Sequence, residues 1–163
     1  MKKLFLFLLL LPFFSNAQKK SYFTVAFGKD FPKHYHVIGG HFTANTSIAK
    51  NIFLGAGTSF LKFDNTENFY FPVYANISFV QADTKRKVYP IVFIQPGYGI
   101  YKHEENDQST TGGFTFHSSA GLVYPFLFHK KGFATIGYSH YTFRSNDVLS
   151  HRDSWGGRIG MMF

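Results

Sequence analysis

Trp155-Gly-Gly-Arg-Ile-Gly-Met-Met-Phe163 alternates two kinds of side chain. In an extended backbone successive side chains point to opposite faces. Trp155, Ile159, Met161 and Phe163 therefore share one face, and Gly156, Arg158, Gly160 and Met162 the other. The stretch predicts a β-strand with an apolar, aromatic-ended face and a glycine-rich face that carries one cation.

The same period of two recurs upstream. Phe71, Val73, Ala75, Ile77 and Phe79 alternate with Pro72, Tyr74, Asn76 and Ser78; Pro90, Val92, Ile94, Pro96, Tyr98 and Ile100 alternate with Ile91, Phe93, Gln95, Gly97 and Gly99. Eight such runs are marked, near 20–29, 35–44, 51–62, 70–81, 88–102, 113–125, 132–144 and 154–163, separated by clusters of Asn, Asp, Ser, Thr, Gly and Lys. No helical apolar stripe interrupts them, so the class is all-β.

Met1 to Ala17 reads as a cleavable secretory signal: Lys2 and Lys3, an apolar run from Leu4 to Phe14, then Ser15 and Ala17 before Gln18. The run is too short for a spanning helix. Residues 18–163 then form one domain, with no linker to divide it. The chain has no cysteine, which leaves no disulfide framework and no lipid-modified cysteine after the signal. Aromatic residues make up 20% and charged residues only 16%, against the roughly 25% charged of ordinary soluble domains. An apolar surplus spread on alternate positions of many strands, never gathered into a helical span, is what a transmembrane β-barrel requires.

One face of each run is expected to meet lipid: Phe23, Val25 and Phe27; Ile38 and Phe42; Ile52, Leu54, Ala56 and Phe60; Phe114, Phe116, Ala120, Leu122 and Tyr124; Ala134, Ile136 and Tyr138, where His140 interrupts. The opposite face mixes Thr24, His41, Ser59, Tyr74, Asn76, Ser78, Gln95, His117, Ser119 and Arg158 with glycines. An eight-stranded barrel has a lumen just wide enough for such side chains to fill, which argues against a diffusion pore. A soluble lipocalin-like barrel is the structural alternative, with the apolar face turned inward. Pro96, inside the fifth run, demands a bulge or a local break.

With both mature termini in the periplasm, the inside turns fall at Asn45 to Lys50, Ala82 to Lys87 and His129 to Lys131. The outside loops fall at Asp30 to His34, Asp64 to Phe69, His103 to Gly112 and Ser145 to Asp153. All carboxylates but Asp83 lie in the outside loops, and none is expected within a strand. Lys29, Lys62, Lys102 and Arg144 end the four outward-running strands on the lipid side. They suggest a basic girdle for the phosphates of outer-leaflet lipopolysaccharide, the alternative being lysines that merely snorkel to water. The net charge of +8 includes two lysines of the signal, and no aromatic-basic strip accompanies it, so nucleic acid is not an expected partner.

Catalytic and metal chemistry find little footing. The eight histidines include His34 and His36 at i, i+2, with His103 and His151 in other outside loops, but no cysteine or carboxylate-histidine spacing completes a metal site. Ser139-His140 and His117-Ser118 are the candidate pairs for a lipid A acyl hydrolase. Adjacent residues diverge on a strand, however, and no strand carboxylate is expected to orient either imidazole. Arg158 faces the lumen with no inner-facing Asp or Glu expected; Tyr hydroxyls, carbonyls, water or Asp83 are its candidate partners.

Residues 20–163 resemble the small eight-stranded outer-membrane β-barrel family, the barrels of outer membrane protein A and the X-type proteins. The segments that carry the likeness are FPVYANISF (Phe71 to Phe79), YPIVFIQPGYGIY (Tyr89 to Tyr101), ATIGYSHY (Ala134 to Tyr141) and GGRIGMMF (Gly156 to Phe163). The resemblance implies an eight-stranded antiparallel up-and-down transmembrane barrel in the outer membrane, without cofactor. Its role would be that of a non-enzymatic scaffold or surface-loop display with an unknown surface partner. It also implies that the barrel-insertion machinery reads Phe163 and Met161 as a signal, with Arg158 standing where the family has glycine.

Overall fold

A computed structural model describes residues 21–31, 36–63, 69–81, 87–102, 111–126, 130–145 and 148–163, without the side chains of 101, 102, 111, 143–145, 148 and 149. The signal segment therefore lies outside the described residues. Eight strands, β1 (Ser21–Phe31), β2 (Val37–Ala49), β3 (Ile52–Phe63), β4 (Phe69–Val80), β5 (Tyr89–Lys102), β6 (Thr111–Pro125), β7 (Lys131–Ser145) and β8 (Val148–Met162), form one closed barrel in chain order. Every neighbour pair is antiparallel, β8 with β1 included. The eight-stranded up-and-down architecture expected from the alternation is the one observed.

Facing residues define the tilt. A circuit leaves β1 at Ser21, passes Thr46, Leu54, Ile77, Ile94, Ser118, Tyr138 and Trp155, and rejoins β1 at Phe31, ten residues further on (31 minus 21). A stagger of ten across eight strands inclines each by about 40°, so a residue climbs about 2.5 Å along the barrel axis. The outward face of β5 from Pro90 to Ile100 thus covers about 25 Å, the height of the apolar band of a transmembrane barrel.

The faces sort as expected. Outward side chains include Phe23, Phe27, Val73, Tyr98, Phe114, Ile136 (68% exposed), Trp155 (63%) and Ile159, whereas Thr24, Asn45, Asn76, Ser78, Gln95, His117 and Arg158 are buried inside. This orientation is opposite to that of a soluble barrel. Burying such an exterior in hydrocarbon is favourable by about 25 cal/mol per Å².

Three expectations are corrected. β8 begins at Val148, so Ser145 to Asp153 is no loop; Ser145 faces Val148 across a two-residue connection. β2 runs on to Ala49 past a register shift, and the turn to β3 is Lys50-Asn51, with Asn51 at φ 65, a left-handed conformation that asparagine tolerates. Asp30 and Asp153 sit within β1 and β8, so carboxylates do occur in strands, and Asp30 faces the lumen. At Pro96 the expected local break is present, without a bulge: the β4–β5 register continues, and facing pairs are interrupted between Tyr74↔Gly97 and Ile77↔Ile94. The β3–β4 ladder is likewise interrupted opposite Pro72, since proline has no N–H to give.

Candidate functional site

The lumen is stratified. At the end carrying Ser21 and Phe163, the side chains of Tyr22, Phe53, Val80, Tyr89, Ile91, Phe93, Val123, Phe133 and Met162 pack into an apolar plug. At the far end Val37, Leu61, Phe63, Tyr70 and Tyr141 form a second one. Glycine makes room for its rings: a Cβ on Gly99 would fall within the Tyr70 ring.

Between the plugs lies a polar layer. Arg158 Nη1 donates to Gln95 Oε1 (2.8 Å), Gln95 Nε2 to Asn76 Oδ1 (2.9 Å), Asn76 Nδ2 to Asn45 Oδ1 (2.5 Å), and Asn45 Nδ2 to Thr43 Oγ1 (2.8 Å), which meets Thr24 Oγ1. The chain of donors links β8, β5, β4, β2 and β1. Gln95 was not among the expected partners of Arg158. Its amide accepts from the cation while passing a proton donor onward, a polarised series in which each bond strengthens the next. His41 meets Ser59, and His117 meets Ser139. Asp30, the inner carboxylate, accepts from Tyr141 Oη at 2.6 Å.

At the far rim, three of the four basic positions fall on one register row: Lys29↔Ile38↔Lys62↔Phe69↔Lys102. Lys29 and Lys62 point outward, with their ammonium groups 5.4 and 5.9 Å from the rings of Phe31 and Phe69. Arg144 lies apart, on β7 opposite Leu149. The side chains of Lys102 and Arg144 are outside the described residues.

The β7–β8 hairpin carries a cluster that the sequence did not reveal. His140 faces Asp153, and Thr142 faces His151, in adjacent register pairs on the outward side. His140 Nδ1 lies 2.6 Å from Asp153 Oδ1, which also accepts from Tyr138 Oη at 2.5 Å. Thr142 Oγ1 is 3.2 Å from His140 Nε2 and 3.4 Å from His151 Nδ1. The two imidazoles stack at 5.6 Å, and Tyr138 meets Trp155 edge-on at 5.7 Å. The expectation that no strand carboxylate orients His140 is therefore corrected. Its hydroxyl partner is Thr142, two residues on, and not the adjacent Ser139, which faces the lumen. Among the described residues no three His, Cys, Asp or Glu side chains group as metal ligands; His34 and His103 lie outside them.

The seam between β1 and β8 closes through Phe163 N–H to Phe23 O (2.9 Å) and Phe23 N–H to Phe163 O (3.2 Å). Met161 and Phe163 both point outward. Lys130 Nζ stands 4.2 Å from the centre of the Phe163 ring.

No family model matches this sequence, and no curated protein does. Solved structures do match. Neisserial surface protein A (NspA) superposes with a TM-score of 0.67 at 11% identity, covering 87% of this chain and 94% of that one. The N-terminal β-barrel domain of Pseudomonas aeruginosa OprF gives 0.55 at 13%, covering 90% and 100%. A major outer membrane protein from Thermus thermophilus gives 0.54 at 11%, covering 88% and 98%. Together with the apolar exterior, the filled lumen and the ten-residue stagger, these likenesses establish that this chain has the fold of the small eight-stranded outer-membrane β-barrels.

Proposed function

We propose that this protein is an integral outer-membrane barrel that works through its surface and not through its lumen. Both ends of the barrel domain would face the periplasm, and the far-end connections, 32–36, 64–68 and 103–110, would be displayed outside as a scaffold's binding surface. The observation that carries this reading is the pairing of an apolar exterior with an interior occupied by two plugs and a hydrogen-bonded layer. A lumen so filled supports display over transport or lumenal catalysis. The Neisserial relative in fold is by its name a surface protein. Outer-membrane lipid and lipopolysaccharide are the expected surroundings, and the barrel-insertion machinery the expected partner during assembly.

The test combines two measurements on cells producing the full chain. Unheated membrane-fraction protein should migrate faster on a denaturing gel than boiled protein, and an epitope inserted after Gln108 should be labelled on intact cells while one inserted at Lys85 should not. Heat-independent mobility, or the reverse labelling, overturns the reading. Lipid-acyl chemistry, a second reading, is favoured by one specific observation, the outward Asp153–His140–Thr142 geometry.

A further inference from the structure

We propose that Thr142, His140 and Asp153 form a hydrolytic centre on the membrane-facing side of the β7–β8 hairpin, specific for acyl esters of a membrane lipid. The proposal rests on the outward face lying in lipid and not on any displayed loop.

The contacts of His140 define its tautomer. Asp153 Oδ1 lies 2.6 Å from His140 Nδ1, and a carboxylate only accepts, so the N–H is at Nδ1. Nε2 is then left with its lone pair, and Thr142 Oγ1 is 3.2 Å away with a proton to give. Nucleophile, base and orienting carboxylate thus stand in the order and at the spacings that define triad chemistry on unrelated folds. Because Thr142 has a single proton and directs it to His140, His151 Nδ1 at 3.4 Å takes the donor role beside the same oxygen. Tyr138 Oη, donating to Asp153 at 2.5 Å, fixes the carboxylate from the other side.

Strand geometry explains why these groups meet. Residues two apart on β7 share its outward face, and the register brings His151 and Asp153 of β8 directly opposite Thr142 and His140. Thr142 is 7% exposed, beside the more open His140 (25%) and Asp153 (58%), so an ester would approach the hydroxyl from the His140 side.

The substrate class follows from height. The outward stripes beneath the cluster are Ala134, Ile136 and Tyr138 on β7, and Met161, Ile159 and Trp155 on β8. Trp and Tyr mark the membrane-water interface. Asp153 lies two residues beyond Trp155, about 5 Å higher on a tilted strand. This is the level at which the ester bonds between acyl chain and headgroup are found.

The reaction balances without a further reagent. Thr142 Oγ attacks the acyl carbonyl carbon while its proton passes to His140 Nε2. The ester C–O bond breaks, and the leaving alcohol oxygen takes that proton. Water then attacks the acyl-threonine, giving a proton to His140, and Thr142 Oγ leaves as the hydroxyl with that proton. The net change is ester plus water to fatty acid plus alcohol.

The experiment uses the full mature chain refolded in nonionic detergent, with folding checked by heat-modifiable mobility. It is offered phosphatidylethanolamine in mixed micelles in one arm and purified lipopolysaccharide in another, and free fatty acid is quantified by mass spectrometry. Time-dependent release in either arm, lost at least 100-fold in folded T142A and in H140N but kept in T142S, supports the proposal, and the responding arm names the lipid. D153N, a positioning variant, should lower kcat with KM little changed. An acyl adduct on the peptide containing Thr142 after an acid quench would trap the intermediate. Release in neither arm by folded wild type, or release by T142A at the wild-type rate, overturns it. Either failure leaves the display reading untouched, because that reading is scored by mobility and surface labelling.

Discussion

Arg158 on β8 and Gln95 on β5 are joined through the lumen by a 2.8 Å hydrogen bond from Nη1 to Oε1. They are 63 residues apart in sequence, and the bond sets the head of a donor series that runs on to Thr24. Replacing Arg158 with Met should remove the cation and strand Gln95, costing about 1–3 kcal/mol for a buried polar group that loses its partner. Urea titration of refolded protein in lipid vesicles measures it. The pair R158M/Q95M should cost less than the sum of the two single changes, as coupled neighbours do.

Gly99 and Tyr70 test the packing of the far-end plug. Tyr70 is fully buried, and a side chain at 99 would occupy its ring position. Overpacked sites lose about 1–3 kcal/mol or fail to fold, so G99V should show reduced heat-modifiable protein. Adding Y70A should restore it, and absence of rescue would show that the loss comes from elsewhere.

The lysine row makes a graded prediction. Lys29, Lys62 and Lys102 share one register line while Arg144 stands apart. The triple change to Gln should lower the lipopolysaccharide retained through gentle detergent extraction by severalfold, and R144Q alone should change it little. Equal retention in wild type and in a variant lacking all four charges would mean that these side chains only snorkel.

Removal of Phe163 should cost the paired hydrogen bonds to Phe23 that close the β1–β8 seam, along with the proposed insertion signal it shares with Met161. The expected outcome in cells is unassembled, protease-sensitive protein. Refolding the same variant in detergent separates the two roles: recovery of a heat-modifiable band there would assign the cellular defect to the machinery and not to the seam.

What the sequence made legible was the part of each strand that lies in hydrocarbon. There the alternation of Phe, Val and Ile with small or polar residues is enforced by the solvent on one side and the narrow lumen on the other, as in Phe71 to Phe79. Beyond the band that constraint ends, so Ser150-His-Arg-Asp153 reads as part of a loop although β8 continues through it by pairing with β7. The same cause hid the end of β2 from Asn45 to Ala49. Asp30 was hidden for a different reason, because an inner face tolerates a carboxylate wherever a hydroxyl such as that of Tyr141 can reach it. The His140–Asp153 contact depends on the two-residue hairpin that sets the register of β7 on β8, and no local pattern announces a register. The lumen partners of Arg158 depend on closure of the whole wall.

The ten-residue climb around the wall has a consequence for how such a chain changes over time. Inserting or deleting one residue in any strand would swap the two faces of everything beyond it, putting oil where the amides meet and amides where oil must be. Substitution is unconstrained by that rule, which accords with a shared architecture at 11% identity over 87% of the chain. A change of length is thereby tolerated in the connections at the two open ends and not in the wall, where the staves must keep their phase.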